Sequence, residues 1–268
     1  QIPMFFIVGP LRTGSSLMAR CMDDHPSVIC LCESEINRAL YQDYYLKLHH
    51  TRMLAHGLTS EEIIGYLNRK RQDDLASLMK WYSDVCPRMA EIYQKPELMR
   101  FGDKSPDFFQ DSELLHHLAF NHQLIYTVRD PRAIYASIEV QDDESRQDKD
   151  ERWRRLTMNY LQWKPYLDFA NVLVVRYEDL VREPQATMRT VYSHLSLPHS
   201  ERFLEPFPRI NSARFLWPTA VDWATGIARD FDVTRTERWR TTLTEKQLDH
   251  ALSESTIREF MDRFGYTS

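Results

Sequence analysis

Five short apolar runs, separated by longer segments of helical pattern, constrain this chain more than any other feature. They are Phe5–Val8, Val28–Leu31, a weaker Met99–Phe101, Leu124–Val128 and Val172–Val175. A strand that is apolar at successive positions is buried on both faces. Such strands alternating with helices predict an α/β fold: a parallel β-sheet flanked by helices on both faces, in three layers. With 268 residues the chain can bury a core of that size, and 43% hydrophobic and 12% aromatic residues exclude a disordered chain.

Helix signals lie between the runs. Thr59-Ser60-Glu61-Glu62 is a capping box with Ile63, Ile64 and Leu67 behind it. Asp130-Pro131 places an N-cap before a proline at the first helical position. Thr244-Glu245-Lys246-Gln247 is a second capping box, opening a terminal helix whose buried stripe is Leu248, Leu252, Phe260, Met261 and Phe264. The densely charged run Gln141 to Arg155 reads as a solvated loop or a mobile helix start. No composition shift marks a boundary. We therefore read residues 1–268 as a single domain with a helical insertion at approximately 34–98. The insertion's Tyr41, Tyr44, Tyr45, Trp81 and Tyr82 read as core rather than as a platform for a ligand.

Glycine is scarce, at 7 residues, so two glycines bracketing one loop are informative. The first strand runs into Gly9-Pro10-Leu11-Arg12-Thr13-Gly14-Ser15-Ser16-Leu17, and a helix begins at about Ser15. That arrangement turns backbone N–H groups and a helix N-terminus towards one point, an anion cradle. The glycine spacing equals that of a nucleoside-triphosphate loop, but Ser15 stands where the phosphate-reaching lysine belongs. Arg12 instead puts a cation inside the loop, able to fork onto phosphate or sulfate oxygens. A second anchor is Arg129-Asp130-Pro131-Arg132 at the end of the fourth strand, with Ser137 about two turns into the following helix. An arginine and a hydroxyl so placed can grip one phosphate from two sides.

With these two motifs the chain resembles the sulfotransferases that use 3′-phosphoadenosine 5′-phosphosulfate (PAPS), whose fold is similar to that of the P-loop NTPases. Leu11-Arg12-Thr13-Gly14-Ser15-Ser16-Leu17 matches their 5′-phosphosulfate loop, with Leu11 for the usual proline and Thr13 for the usual serine. Arg129 and Ser137 match their 3′-phosphate motif in spacing. Arg176-Tyr177-Glu178-Asp179-Leu180 occurs in the family too, and the resemblance puts Tyr177 by the adenosine, with Arg176 and Glu178 structural. It covers most of residues 4–196 as ordered motifs, and its motif spacing is closest to the protein-tyrosine branch. It implies PAPS as donor, 3′-phosphoadenosine 5′-phosphate (PAP) as product and no metal.

Sulfuryl transfer needs a base for the acceptor hydroxyl, a stabiliser for the leaving oxygen and groups that hold the sulfonate in line. Ligands of open parallel sheets bind beyond the carboxyl ends of the strands, where Glu33 lies. The protein-tyrosine branch carries a catalytic glutamate eight residues after a His-Pro pair, and His25 to Glu33 has that separation. Glu33 is the expected general base, Glu35 the runner-up, and His25 a packing or capping residue. Lys104, in Gly102-Asp103-Lys104-Ser105-Pro106, is the expected stabiliser of the leaving oxygen by the same resemblance, and Arg12 assists. Arg238-Trp239 stands in for the branch's Lys-Trp pair at the 3′-phosphate, and Trp223 to Asp232 is a candidate cover for the adenosine.

The expected function is thus transfer of a sulfuryl group from PAPS to an acceptor hydroxyl on protein tyrosine, carbohydrate or a small metabolite. The rivals are a small-molecule kinase, with Asp103 or Asp130 holding a metal, and a non-catalytic nucleotide-binding module. A dinucleotide oxidoreductase lacks its glycine signature. Net charge of -5 disfavours nucleic acid as a partner. No apolar run approaches the ~20 residues of a membrane span. A soluble domain, with the cytoplasm favoured, is expected; a removed leader or anchor stays open, since the chain starts almost inside its first strand. The four cysteines, Cys21, Cys30, Cys32 and Cys86, read as buried thiols.

Overall fold

The structure is a computed structural model that describes residues 2–39, 43–68, 75–140, 146–205 and 231–266. Its strands are β1 (Met4–Val8), β2 (Val28–Cys32), β3 (Arg100–Lys104), β4 (Gln123–Val128) and β5 (Val172–Arg176). They form one parallel sheet in the order β2-β3-β1-β4-β5. Successive side chains leave a strand on opposite faces. Phe5 and Ile7 accordingly enter one core, while Met4, Phe6 and Val8 enter the other.

The smaller core is closed by helices α1 (Ser15–Asp23) and α10 (Pro184–His194), through Met18, Met22, Met188, Val191 and Tyr192. The larger lies under α5 (Leu75–Ile92), α6 (Ser112–Asn121), α7 (Pro131–Glu139), α8 (Arg146–Trp163) and the C-terminal helix Ser255–Phe264. Helices α2 (Ile36–Ala39), α3 (Asp43–Ala55) and α4 (Ser60–Asn68) precede α5 between β2 and β3, where the helical insertion is expected. A short α9 (Tyr177–Arg182) follows β5. The architecture is the α/β sandwich read from the sequence. Among the described residues no helix is long and apolar enough to cross a membrane.

Local sequence signals account for the helix starts. Thr59 and Glu62 exchange the two bonds of a capping box, as do Thr244 and Gln247. Asp130 accepts from the Arg132 N–H at 2.9 Å and caps α7. Trp81 and Tyr82 are core residues, as expected, and Tyr45 lies against the Arg38 guanidinium. Tyr41 and the side chain of Tyr44 fall outside the described residues. All four cysteines are free and buried.

Three expectations are corrected. The third strand starts at Arg100 and runs on through Gly102, Asp103 and Lys104. Its polar residues are tolerated because β3 lies between β2 and β1, where partners from neighbouring elements satisfy them. Gly102 gives room to Phe5, whose ring would lie 2.5 Å from an added Cβ. The terminal helix is two helices, Glu245–Leu252 and Ser255–Phe264, broken where the Ser253 hydroxyl turns back onto the His250 carbonyl. The charged run is regular helix from Arg146, and it buries Trp153. Residues 141–145 fall outside the described residues.

One polar residue of α8 ties the core to the loops above it. Asn159 is buried, donates to the Gly9 carbonyl at 3.1 Å and the Pro106 carbonyl at 3.2 Å, and accepts from Tyr126 Oη. Asn159→Ala strands three buried polar groups, at about 1 kcal/mol or more each. Urea unfolding of this variant should show a loss of about 3 kcal/mol; a loss below about 1 kcal/mol would contradict the assigned bonds.

Candidate active site

The β-ladder register sets the site. Lys104 pairs with Cys32 on one side and Ile7 on the other, so the ends of β2, β3 and β1 finish side by side. The Glu33 N–H donates to the Lys104 carbonyl at 2.7 Å, just past β2. Val8 lies opposite Tyr126, which brings the loop after β1 next to the end of β4. Glu33, Lys104, Arg12 and Arg129 therefore share one edge of the sheet, where the sequence placed them.

The loop from Gly9 to Gly14 is held in a conformation that few side chains allow. Gly9 has φ +126°, and an added Cβ would lie 2.4 Å from the Thr127 carbonyl oxygen. Gly14 has φ +81° and packs on the Tyr177 ring, 2.4 Å from where its Cβ would be. Gly14 is also the N-cap of α1, and no side chain caps that helix, so the first-turn N–H groups of Ser15, Ser16 and Leu17 face out of its end. The Thr13 hydroxyl is engaged within the fold, donating to the Pro10 carbonyl at 2.8 Å and pairing with Thr127 Oγ1 at 2.7 Å. What Thr13 has left to offer an anion is its backbone.

The two arginine motifs meet. Arg12, at φ +67°, donates from Nε to Ser137 Oγ at 2.9 Å. Arg129 donates to the Arg12 carbonyl at 3.2 Å and the Arg235 carbonyl at 2.6 Å. Its guanidinium carbon lies 4.4 Å from the centre of the Tyr177 ring. Arg129 is buried and its Nε has no hydrogen-bond partner. Among the described residues no carboxylate forms an ion pair with it. Burial pushes its pKa down, though an arginine stays charged. A buried cation held by carbonyls and an aromatic face, with no ion-paired carboxylate among the described residues, is a favourable place for an anion.

The expected base and stabiliser also meet. Lys104 Nζ bonds Glu33 Oε1, and Arg52 donates to Glu33 Oε2 at 3.2 Å. Lys104 is 2% exposed and Arg52 1%. Burial works against the Lys104 charge, but Cys32 and the Glu33 carboxylate outweigh it and hold its pKa above the ordinary lysine value. Glu33 and Glu35 both have left-handed backbones, at φ +54° and +57°. Ser34 between them is anchored to Asp103 by its N–H at 3.4 Å and by its hydroxyl. Glu35 is 2% exposed, and burial followed by the Glu33 charge raises its pKa to about 7.

Residues 3–201 match the sequence profile of the sulfotransferase family. The chain belongs to that family. It is similar to "Protein-tyrosine sulfotransferase A" of Caenorhabditis elegans, 26% identical over 216 residues, which are 75% of this chain and 52% of that protein. It is 23% identical to "Protein-tyrosine sulfotransferase" of Drosophila melanogaster over 79% of this chain and 41% of that protein. The chain thus spans about half the length of the curated relatives it matches. The "Sulfotransferase Domain from the Synechococcus PCC 7002 Olefin Synthase" superposes with a TM-score of 0.68 at 18% identity, covering 99% of this chain and 95% of that one. That likeness is one of fold. Membership makes the chain a transferase and agrees with the family resemblance read from its motifs.

Several residues of this sulfotransferase site carry no sequence signal. Arg52 and Asn159 sit in helices that match no motif. Arg235, rather than Arg238, supplies the carbonyl that meets Arg129; Arg238 is exposed, on the turn before a Trp239 flanked by Arg132 and Arg240. Asp107, after β3, bonds both Arg38 and Arg155. The expected bystanders behave as such. His25 donates from Nε2 to the Pro198 carbonyl and accepts the Ser27 N–H, while Glu178 accepts from the Asp130 N–H and Tyr266. Arg176 stacks over Tyr266. The adenosine cover expected at Trp223 to Asp232 lies, up to residue 230, outside the described residues.

Gly14→Ala should both strain the loop, by about 1–2 kcal/mol for a left-handed residue, and push the Tyr177 ring away from Arg129. Thermal unfolding should show the loss of stability, and PAP affinity by calorimetry should fall with it. Affinity equal to that of the unaltered chain would show that the loop does not form the cradle.

Proposed function

We propose that the chain transfers a sulfuryl group from PAPS to an acceptor hydroxyl, with Glu33 as general base. The observation that carries this reading is the buried Arg129, with no ion-paired carboxylate among the described residues and its Nε without a partner, beside an uncapped helix end and a second arginine. A ligand with two anionic ends answers both at once. The fit is to the donor set present: Arg129 and Ser137 for the 3′-phosphate, and Arg12 with the N–H groups from Thr13 to Leu17 for the 5′-phosphosulfate. Tyr177, which touches both Gly14 and Arg129, lies between the two ends and suits the adenosine. "Mouse sulfotransferase SULT7A1 complexed with PAP", at a TM-score of 0.50 and 12% identity, has a related fold and holds that nucleotide.

The donor supplies the sulfuryl group and an oxygen leaving group. The remaining work falls to the chain. Lys104, charged and aimed at the site edge, neutralises negative charge on the leaving oxygen. Glu33 takes the proton of the attacking hydroxyl. Arg12 steadies the sulfonate oxygens. A hydroxyl proton near pKa 10 or above becomes transferable only as attack proceeds, so the carboxylate must sit within hydrogen-bond reach of it. The names of the protein-tyrosine relatives favour a tyrosine hydroxyl as acceptor.

The kinase reading fails on the commitments of its metal candidates. Asp103 is fully buried and occupied by Ser34 and Tyr82, and burial pushes its pKa up. Asp130 caps α7 and pairs with Arg132 at 2.8 Å. A pure binding module gives no reason for a buried lysine and glutamate to face each other at the sheet edge.

Calorimetry should show PAP binding and no comparable ATP binding. Arg129→Ala should weaken PAP by roughly 10- to 150-fold, the worth of one charge-assisted bond of about 1.5–3 kcal/mol. Glu33→Ala should keep PAP affinity and lose transfer from PAPS to a tyrosine peptide by at least about 100-fold. Tighter binding of ATP than PAP, or turnover in Glu33→Ala, would refute the assignment.

A further inference from the structure

Helix α3 and the turn residue just after it carry a buried polar stripe whose three members each hold one residue of the segment that bears the proposed base. His49 donates from Nδ1 to the Ser34 carbonyl at 2.6 Å. Arg52 donates to Glu33 Oε2 at 3.2 Å. His56 accepts the Cys32 N–H on Nε2 at 3.4 Å, and its Nδ1 donates to Tyr93 Oη at 2.5 Å. All three are at most 1% exposed. The spacing 49, 52, 56 puts them on one helical face. Burial pushes the His49 pKa down to about 4, so His49 is neutral and its bond to Ser34 is a fixed neutral one. The stripe thus includes a single cation, and that cation is on the carboxylate.

We propose that Arg52 is a positioning residue for Glu33: it fixes one carboxylate oxygen and keeps the other aimed at the reaction edge, while holding the carboxyl ionised. This rests on the reading of Glu33 as the base. The physical need is plain. Glu33 is a left-handed residue just past the last strand position, so its long side chain leaves the chain at a turn and has to be aimed by its partners. One oxygen faces Lys104, whose attention the leaving oxygen also claims. The second oxygen needs a partner that does not leave, and a fully buried guanidinium on a packed helix is one.

The groups that act on Glu33 come from four directions. Lys104 on β3 and Arg52 on α3 favour its ionised form, as does the more distant Arg155 on α8. Glu35 in the same segment, when ionised, opposes it. His49 on α3 and His56 just after it hold the flanking Ser34 and Cys32. Removing Arg52 subtracts a cation in contact and so raises the Glu33 pKa. The base is then protonated at pH values where it was ionised, and the acidic limb of the rate profile moves up.

The test uses the full chain labelled with carboxyl-¹³C glutamate, the Glu33 signal being the one absent in Glu33→Gln. In Arg52→Met the Glu33 titration midpoint should rise by about one pH unit or more. With PAPS and a tyrosine peptide, the acidic limb of kcat should rise by the same amount, kcat on the plateau should fall about 10- to 100-fold from lost alignment, and KM for PAPS should stay within about twofold. Arg52→Lys should restore most of both. If Arg52→Met does not fold, Arg52→Gln keeps a donor without the charge and carries the same measurement. An unmoved Glu33 midpoint with Glu33→Gln inactive overturns the role of Arg52 and leaves the base in place. A moved midpoint with Glu33→Gln still active overturns both, because Glu33 is then not the base.

Discussion

A guanidinium cannot shed its proton, so a buried one must be given an anion or a set of acceptors. Arg129 has two carbonyls and the face of Tyr177, and its Nε is left over. Its surroundings depend on this arrangement. The Arg12 carbonyl that it holds belongs to the left-handed residue at the tip of the first loop. The Arg235 carbonyl belongs to a segment some hundred residues away, which Arg182 also holds through Thr236. Tyr177 both stacks on the cation and fills the space that Gly14 vacates. One buried guanidinium thus holds the first loop, the end of β4, the start of α9 and a C-terminal turn against one another.

Glu33, the proposed base, is arranged differently. Its strand ends in register with Lys104, which brings the two together through the sheet rather than through a loop. Two left-handed non-glycine residues then flank a serine tied to Asp103. Conformations of that kind cost of order 1–3 kcal/mol each and survive only where the surroundings over-determine them. Here Asp103 grips Ser34, Tyr82 grips Asp103, and the α3 stripe holds the segment from the other side. Asp103 is the hub: fully buried, it satisfies a hydroxyl, an N–H and a phenol. The hook at the end of β2 is therefore rigid because polar groups converge on it.

Legibility from sequence followed the nature of each signal. Strands β1, β2, β4 and β5 could be read because burial on both faces makes them continuously apolar, and the phosphate loop because glycine at left-handed positions is hard to replace. β3 is half hidden: it buries Asp103 and Lys104 inside the sheet, and a strand that buries charge looks like a turn. Glu33, Lys104, Arg129 and Ser137 were placed by spacing from strand ends, and the structure brings Glu33 to Lys104 and Ser137 to Arg12. Arg52, Asn159 and Asp107 were illegible because their partners are distant in sequence and each belongs to an ordinary amphipathic context. The break at Ser253 was missed because a hydroxyl bonding back to its own helix has no apolar signature.

The insertion between β2 and β3 therefore has two physical tasks. Its α5 supplies Trp81 and Tyr82 to the core, as aromatic content alone suggests. Its α3 supplies Arg52, a cation on Glu33. A carboxylate gripped by two cations is a weak proton acceptor, since each cation stabilises its ionised form. Lys104 and Arg52 are both attached to Glu33. Under the proposed reading, the developing charge on a leaving oxygen draws Lys104 away, and the same carboxylate becomes a better proton acceptor without moving. Arg52 stays, so alignment is kept while basicity rises. Under the proposed reading the strength of the base is then set by the presence of the donor, and a hydroxyl that arrives alone meets a carboxylate held inactive by its own lysine.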